Sequence, residues 1–130
     1  MEHMFGSTVL VLGLLFCLLT TWSSATAPES FAGRLGLNIA NAGGINEIRS
    51  QYAGFFMAVA IVCALSLAGM LSRQASFVVL ATVFGGLIAG RFVSLAMNGG
   101  VEGYGRTIIA LFAIDSIGFA SAVASLVLDR

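Results

Sequence analysis

Residues 51–97 read QYAGFFMAVAIVCALSLAGML, then SRQ, then ASFVVLATVFGGLIAGRFVSLAM. The two apolar runs, Gln51–Leu71 and Ala75–Met97, are each long enough to cross a bilayer as a helix, which takes about 20 residues. Only Ser72-Arg73-Gln74 separates them. That turn is too short for anything but an antiparallel helical hairpin. Working outward, Met4–Trp22 and Thr107–Leu128 form two further runs of spanning length. The sequence therefore predicts an all-α, polytopic membrane protein, an antiparallel bundle of four transmembrane helices forming one domain over residues 1–130.

Composition supports this class. The chain of 130 residues is 58% hydrophobic and 9% charged, with a mean hydropathy of +1.00. A soluble domain is about half apolar and about a quarter charged. Formal net charge is zero, and every basic residue is a scattered arginine. This gives no patch for nucleic acid and no polybasic segment for anionic lipid, so the bilayer itself is the expected surrounding. Cys17 and Cys63 lie inside apolar runs and read as small packing residues. His3 is the only histidine, so no histidine-based metal site and no cofactor are expected. Sixteen glycines and one proline suit close-packed membrane helices.

The first run ends near Ala25-Thr26-Ala27, which has the small-x-small form of a signal-peptide cleavage site. Two features favour retention of the run as a span: Met1–Ser7 carries no Arg or Lys, and the next residue is Pro28. The long connection, Ser23 to Ser50, is expected to hold a short interfacial helix. Pro28-Glu29-Ser30 would open it, Phe31, Leu35 and Leu37 would give its apolar side, and Asn41-Ala42-Gly43-Gly44 would end it. Asn46 then reads as the N-cap of the second span.

Because the helices alternate in direction, Glu47, Arg49, Arg91 and Asp115 fall in one leaflet or at its border. Trp22, Tyr52 and Tyr104 mark that border, as interfacial aromatics do. Ionisable residues inside hydrocarbon usually face the protein interior and pair with each other. In the third span Thr82, Gly86, Gly90, Ser94 and Asn98 recur every fourth residue, a GxxxG-containing stripe expected to admit a neighbouring backbone. Arg91 stands beside it. In the fourth, Asp115, Gly118, Ala122 and Ser125 form a small stripe expected to face the bundle. The candidate polar cluster is Glu47, Arg49, Tyr52, Arg91, Ser94 and Asp115. Other roles stay open: Glu47 complementing a helix dipole, Arg49 snorkelling to the interface, and Arg91–Asp115 acting as a purely structural pair or with Asp115 neutral.

Asn46-Glu47-Ile48-Arg49-Ser50-Gln51-Tyr52-Ala53-Gly54 is similar to the N-E-x-R-x-x-Y-x-G opening of the second helix in a family of small four-helix bacterial membrane proteins grouped as a domain of unknown function. Gly90-Arg91-Phe92-Val93-Ser94 resembles that family's G-R-x-x-S in the third helix, and Asp115 stands where the family often carries Glu. The resemblance implies the four-helix architecture and a bacterial inner membrane. It implies no activity.

Two functions fit these residues. One is an accessory or interaction protein, packing against copies of itself or a larger membrane complex, with the charged cluster as structural keystone. The other is a binder or transporter of a small anionic or amphipathic ligand in an Arg49/Arg91/Asp115 pocket, since paired arginines suit carboxylates and phosphates. An enzyme is not expected, because no Ser–His–Asp set, interfacial thiol pair or metal-ligand cluster can be assembled. Arg73 and Arg130 flank one side, Arg34 and Arg106 the other. With Glu29 and Glu47 acidic in the long connection, both termini are expected in the cytoplasm.

Overall fold

The computed structural model describes residues 2–129. Its helices are α1 (Glu2–Thr26), α2 (Pro28–Arg34), α3 (Ala42–Leu67), α4 (Arg73–Asn98) and α5 (Arg106–Leu128). Four of them are long and apolar enough to cross a membrane, so the chain is a four-helix bundle of the multi-pass membrane class. Helix α1 packs along α3, and α4 packs along α5, with α1 also touching α5. Leu10, Cys17, Phe56, Cys63, Phe77, Leu80, Phe84 and Ala122 form the core between them. Both cysteines are buried free thiols within that core, as small packing residues would be.

Local chemistry sets the helix ends. Pro28 has no N–H to continue α1, yet it fits the first turn of α2. The chain bends there and α2 folds back over the bundle end. Helix α2 stops earlier than the sequence suggests. Leu37 N–H donates to the Ala32 carbonyl and Gly36 N–H to the Gly33 carbonyl, at 2.9 and 3.0 Å. Gly36 adopts φ +77°, the left-handed conformation this helix-ending motif requires.

Residues 41–44 therefore do not end the interfacial helix; they open α3. The Asn41 side chain accepts from Gly44 N–H at 3.2 Å, so Asn41 rather than Asn46 is the N-cap. Within α3, residues Arg49–Gly54 form a π-helical segment, where Phe55 N–H reaches back to the Ser50 carbonyl. The wider turn shifts the faces of the helix on either side. The α3–α4 hairpin is also displaced. Helix α3 ends at Leu67 with Gly69 at φ +72°, and Ser72 Oγ caps α4 by accepting from Ala75 N–H at 3.1 Å. Arg73 and Gln74 thus belong to the first turn of α4 rather than to the turn between spans.

The stripe on α5 faces inward as expected: Asp115, Ala122 and Ser125 are buried. The stripe on α4 does not. Thr82, Gly86, Gly90, Ser94 and Asn98 are all exposed, and a methyl group added at Gly86 or Gly90 would meet nothing within 4 Å. The close approach of α4 and α5 uses different glycines. A Cβ on Gly118 would stand 2.8 Å from the Phe84 ring, and one on Gly85 would stand 3.0 Å from the Phe119 ring. Each helix seats an aromatic ring on a glycine of the other. One residue's offset, about 100° of helical rotation, separates the working glycine Gly85 from the outward Gly86.

This packing predicts opposite results for two similar substitutions. Gly118→Ala should lower thermal stability in detergent by about 1–3 kcal/mol, the cost of overpacking. Gly86→Ala should leave stability at or slightly above that of the parent protein, because alanine favours helix and meets no neighbour. Unfolding of both variants followed by intrinsic fluorescence or thiol accessibility checks this.

Candidate functional site

The glycine-seated contacts hold α4 and α5 in an antiparallel register that brings Arg91 opposite Asp115. Arg91 Nε donates to Asp115 Oδ2 at 2.6 Å, with the carboxylate side chain 1% exposed and the guanidinium side chain 19% exposed. The Arg91 guanidinium carbon also lies 5.8 Å from the centre of the Phe112 ring, a cation–π contact favoured where water is scarce. Phe112 is in turn packed by Phe92 and Tyr104. Among the described residues the two outer nitrogens of Arg91 make no hydrogen bond.

Above this pair lies a cavity of about 420 Å³. Phe16 and Thr20 of α1, Phe31 and Arg34 of α2, Tyr52 and Phe56 of α3, and Thr107 and Leu111 of α5 line it, with Arg91 and Asp115 at its polar wall. Its aromatic side is continuous: Phe31 lies 5.0 Å from Tyr52, and Tyr52 stacks at 6.4 Å on Phe56. A second, more open cavity of about 700 Å³ shares Arg34, Tyr52 and Arg91 and extends to Ser94 and Tyr104. There Ser94 Oγ and Tyr104 Oη are 2.9 Å apart, and Asn98 Nδ2 donates to Tyr104 Oη at 3.2 Å, tying the α4–α5 loop down at the mouth.

The candidate residues thus divide. Tyr52, Arg91 and Asp115 share the inner cavity, and Ser94 lies at its mouth. Glu47 and Arg49 lie outside, both exposed. Glu47 Oε1 accepts from Gln51 Nε2 at 3.0 Å. Arg49 Nε donates to the Ala25 carbonyl at 3.2 Å, satisfying one of the carbonyls left over at the end of α1. The Arg49/Arg91/Asp115 pocket is therefore not formed. The second guanidinium is that of Arg34, which rests 5.8 Å over Phe31 and, among the described residues, has no carboxylate partner. In sequence Arg34 is only a flanking charge. It reaches the site because α2 folds back at Pro28.

A second polar cluster closes the opposite end of the bundle, and sequence reading missed it. Asp129, whose side chain is 1% exposed, accepts from Arg73 Nε at 2.6 Å, and His3 Nδ1 lies 2.6 Å from its other oxygen. Arg73 also donates to Ser7 Oγ and to the His3 carbonyl, both at 3.0 Å, and Gln74 Nε2 donates to the Asp129 carbonyl at 2.6 Å. Gly6 gives this clasp its room: a Cβ there would collide with Asp129 Oδ2 and stand 2.7 Å from Arg73. Burial pushes the Asp129 carboxyl upward, but the hydrogen bond and charge of Arg73, with those of His3, outweigh it and hold the group below the usual carboxylate value. Among the described residues, no three His, Cys, Asp or Glu side chains gather as a metal site would require.

Fold and site together define a multi-pass membrane protein with an internal arginine–aspartate pair and a cavity at the loop-side membrane border. Comparison with protein-family models, curated proteins and solved structures finds no match.

Two measurements follow from the two clusters. Arg91→Leu alone strands Asp115 in an apolar interior and should cost about 3–5 kcal/mol, whereas Arg91→Leu with Asp115→Leu should recover most of that loss. A double-mutant cycle of thermal unfolding in detergent reads the recovery as non-additivity. At the other end, a carboxyl whose folded pKa lies below its unfolded value stabilises at pH above the unfolded value and loses that contribution as pH falls through the folded one. Acidification from neutral pH to below the carboxylate range should therefore lower the melting temperature, and less so in Asp129→Asn.

Proposed function

We propose that this protein binds an amphipathic anion in the cavity that all five helices line. One observation carries the reading: a cavity of about 420 Å³ with largely apolar and aromatic walls also presents Arg34 and Arg91. A mainly apolar pocket with a few converging polar groups is the usual form of a small-molecule site. Guanidinium groups suit carboxylate or phosphate because their N–H donors match two acceptor oxygens. Arg91 spends Nε on Asp115 and keeps its outer donors for a ligand. The resemblance of the helix-two and helix-three motifs supports a bacterial inner membrane. The acidic residues of the long connection support cytoplasmic termini, which puts the cavity mouth on the far side. This reading assigns binding rather than catalysis, since the only histidine pairs with Asp129 at the end of the bundle away from the cavity.

A second reading, assembly with copies of itself or with a larger membrane complex, draws on the α4 stripe. Gly86 and Gly90 are exposed and open to close approach by another helix. It is compatible with the first, since stripe and cavity are separate surfaces.

Native mass spectrometry after purification in mild detergent, with added dodecanoate or dodecyl phosphate, tests both readings. A retained anionic amphiphile should be reduced about tenfold or more in Arg34→Gln, the loss of one charged hydrogen bond. Arg91→Lys should also bind less well, because it keeps the charge and loses the planar fork. Equal adducts in all three proteins, or none in any, would reject the ligand reading. A dimer mass that disappears in Gly86→Leu would support assembly, and a monomer throughout would exclude self-association.

A further inference from the structure

A separate, apolar cavity of about 200 Å³ lies deeper along the bundle and is lined by Leu12, Phe16, Ile114, Ile117, Gly118 and Ser121 among others. Its position relative to the first cavity is informative. On α5 the first is lined by Thr107, Ile108, Leu111 and Asp115; the apolar one continues with Ile114, Ile117, Gly118 and Ser121. That is three-four spacing along one face of one helix. On α1 the same descent runs from Ser23 and Thr20 to Phe16 in the first cavity, and from Phe16 to Leu12 in the apolar one. Phe16 is a wall of both. Between α1 and α5 the two cavities follow one another on either side of Phe16, the first with Arg91 and Asp115 in its wall and the other lined mainly by apolar residues. At 1.5 Å per residue, Thr107 to Ser121 spans about 21 Å. This is one hydrocarbon leaflet, about 15 Å, with a headgroup above it.

We propose that the cavity and the groove are the head and tail seats of one site, and that its occupant is a long-chain fatty acid. The inference rests on the anion-binding reading above and names its ligand. Charge selects the head: the guanidinium groups of Arg34 and Arg91, less the carboxylate of Asp115, leave one net positive charge in the cavity. That matches a monocarboxylate, and Asp115 opposes a doubly charged phosphate. Room selects the tail: a groove of about 200 Å³ suits one chain, not the two of a phospholipid. The division of labour is physical. A chain leaving lipid for an apolar groove gains little, since lipid tails are as apolar as leucine. Affinity therefore resides in the head contacts, and the groove decides where the tail lies.

Photo-crosslinking separates the two claims. The full chain is reconstituted in nanodiscs of neutral phosphatidylcholine with palmitic acid carrying a diazirine near the methyl end or, separately, beside the carboxyl. Labelled residues are mapped by mass spectrometry. The tail probe should label Leu12, Ile117 and Ser121 about tenfold over Ile61 and Val93, which are about as exposed as Leu12 and Ile117 but line neither cavity, and Arg34→Gln should remove about that factor by weakening the head contact. Ser121→Phe should displace the tail label and leave the carboxyl-end label at Tyr52 and Thr107; Ile117→Trp serves the same purpose if Ser121→Phe fails to fold. Tail labels spread evenly over all lipid-facing positions, with the carboxyl-end label still focused, would overturn the tail seat and leave the anion-binding reading standing. Unfocused labels from both probes would overturn both. Displacement by lysophosphatidylglycerol at lower concentration than by palmitate would overturn the choice of a carboxylate.

Discussion

The ion pair between Arg91 and Asp115 is the constraint on which the loop-side half of the bundle depends. A carboxylate in an apolar helix, with its side chain 1% exposed, is costly without a donor. The donor must arrive from another helix, because no basic residue of α5 lies within two turns of Asp115. Arg91 meets it only if α4 and α5 run close together, and closeness comes from Gly85 and Gly118, each occupied by a ring of the other helix. Such a pair adds little net stability, since desolvation offsets the attraction. Its consequence is geometric: it fixes where the guanidinium points, and the outer nitrogens are left facing a cavity.

The same economy governs the two ends of the molecule differently. At the terminal end, Arg73 is consumed by Asp129, Ser7 and the His3 carbonyl, so the guanidinium is fully engaged and acts as a clasp on α1, α4 and α5. At the loop end, Arg34 has a ring beneath it and Arg91 spends one nitrogen. Donor capacity inside an apolar cavity is what distinguishes a site from a strut. On that basis the loop-side cluster carries the functional proposal, although the terminal cluster has more internal contacts.

Much of the architecture was legible in the chain. Run length and the shortness of the connection between the two middle runs determined four antiparallel spans, and alternation of direction placed Tyr52, Arg91 and Asp115 at one end. The inward face of α5 followed from the three-four spacing of Asp115, Gly118, Ala122 and Ser125, because a helix buries one stripe and small or polar residues in a membrane protein favour that stripe. The same argument misplaced α4. Its four-residue repeat of small residues is genuine, but Gly85 and Gly86 are adjacent in sequence, and only the partner ring of Phe119 decides which of them is used. Helix ends were similarly ambiguous: Gly36 and Asn41 mark the true stop and start, yet Gly43, Gly44 and Asn46 offered the same chemistry.

The sequence by itself determined the membrane class, the helix count and the presence of an arginine–aspartate pair, since these depend on local hydropathy and on the cost of unpaired charge. Tertiary structure alone decided the membership of each cluster. Arg34 replaces Arg49 beside Arg91 because α2 folds back at Pro28 and Arg49 is taken by the Ala25 carbonyl. Arg73 finds Asp129 across the bundle at the end of α5. Pairings between helices depend on the rotation and register of whole helices, and those are set by side chains interlocking in three dimensions rather than by any spacing along the chain.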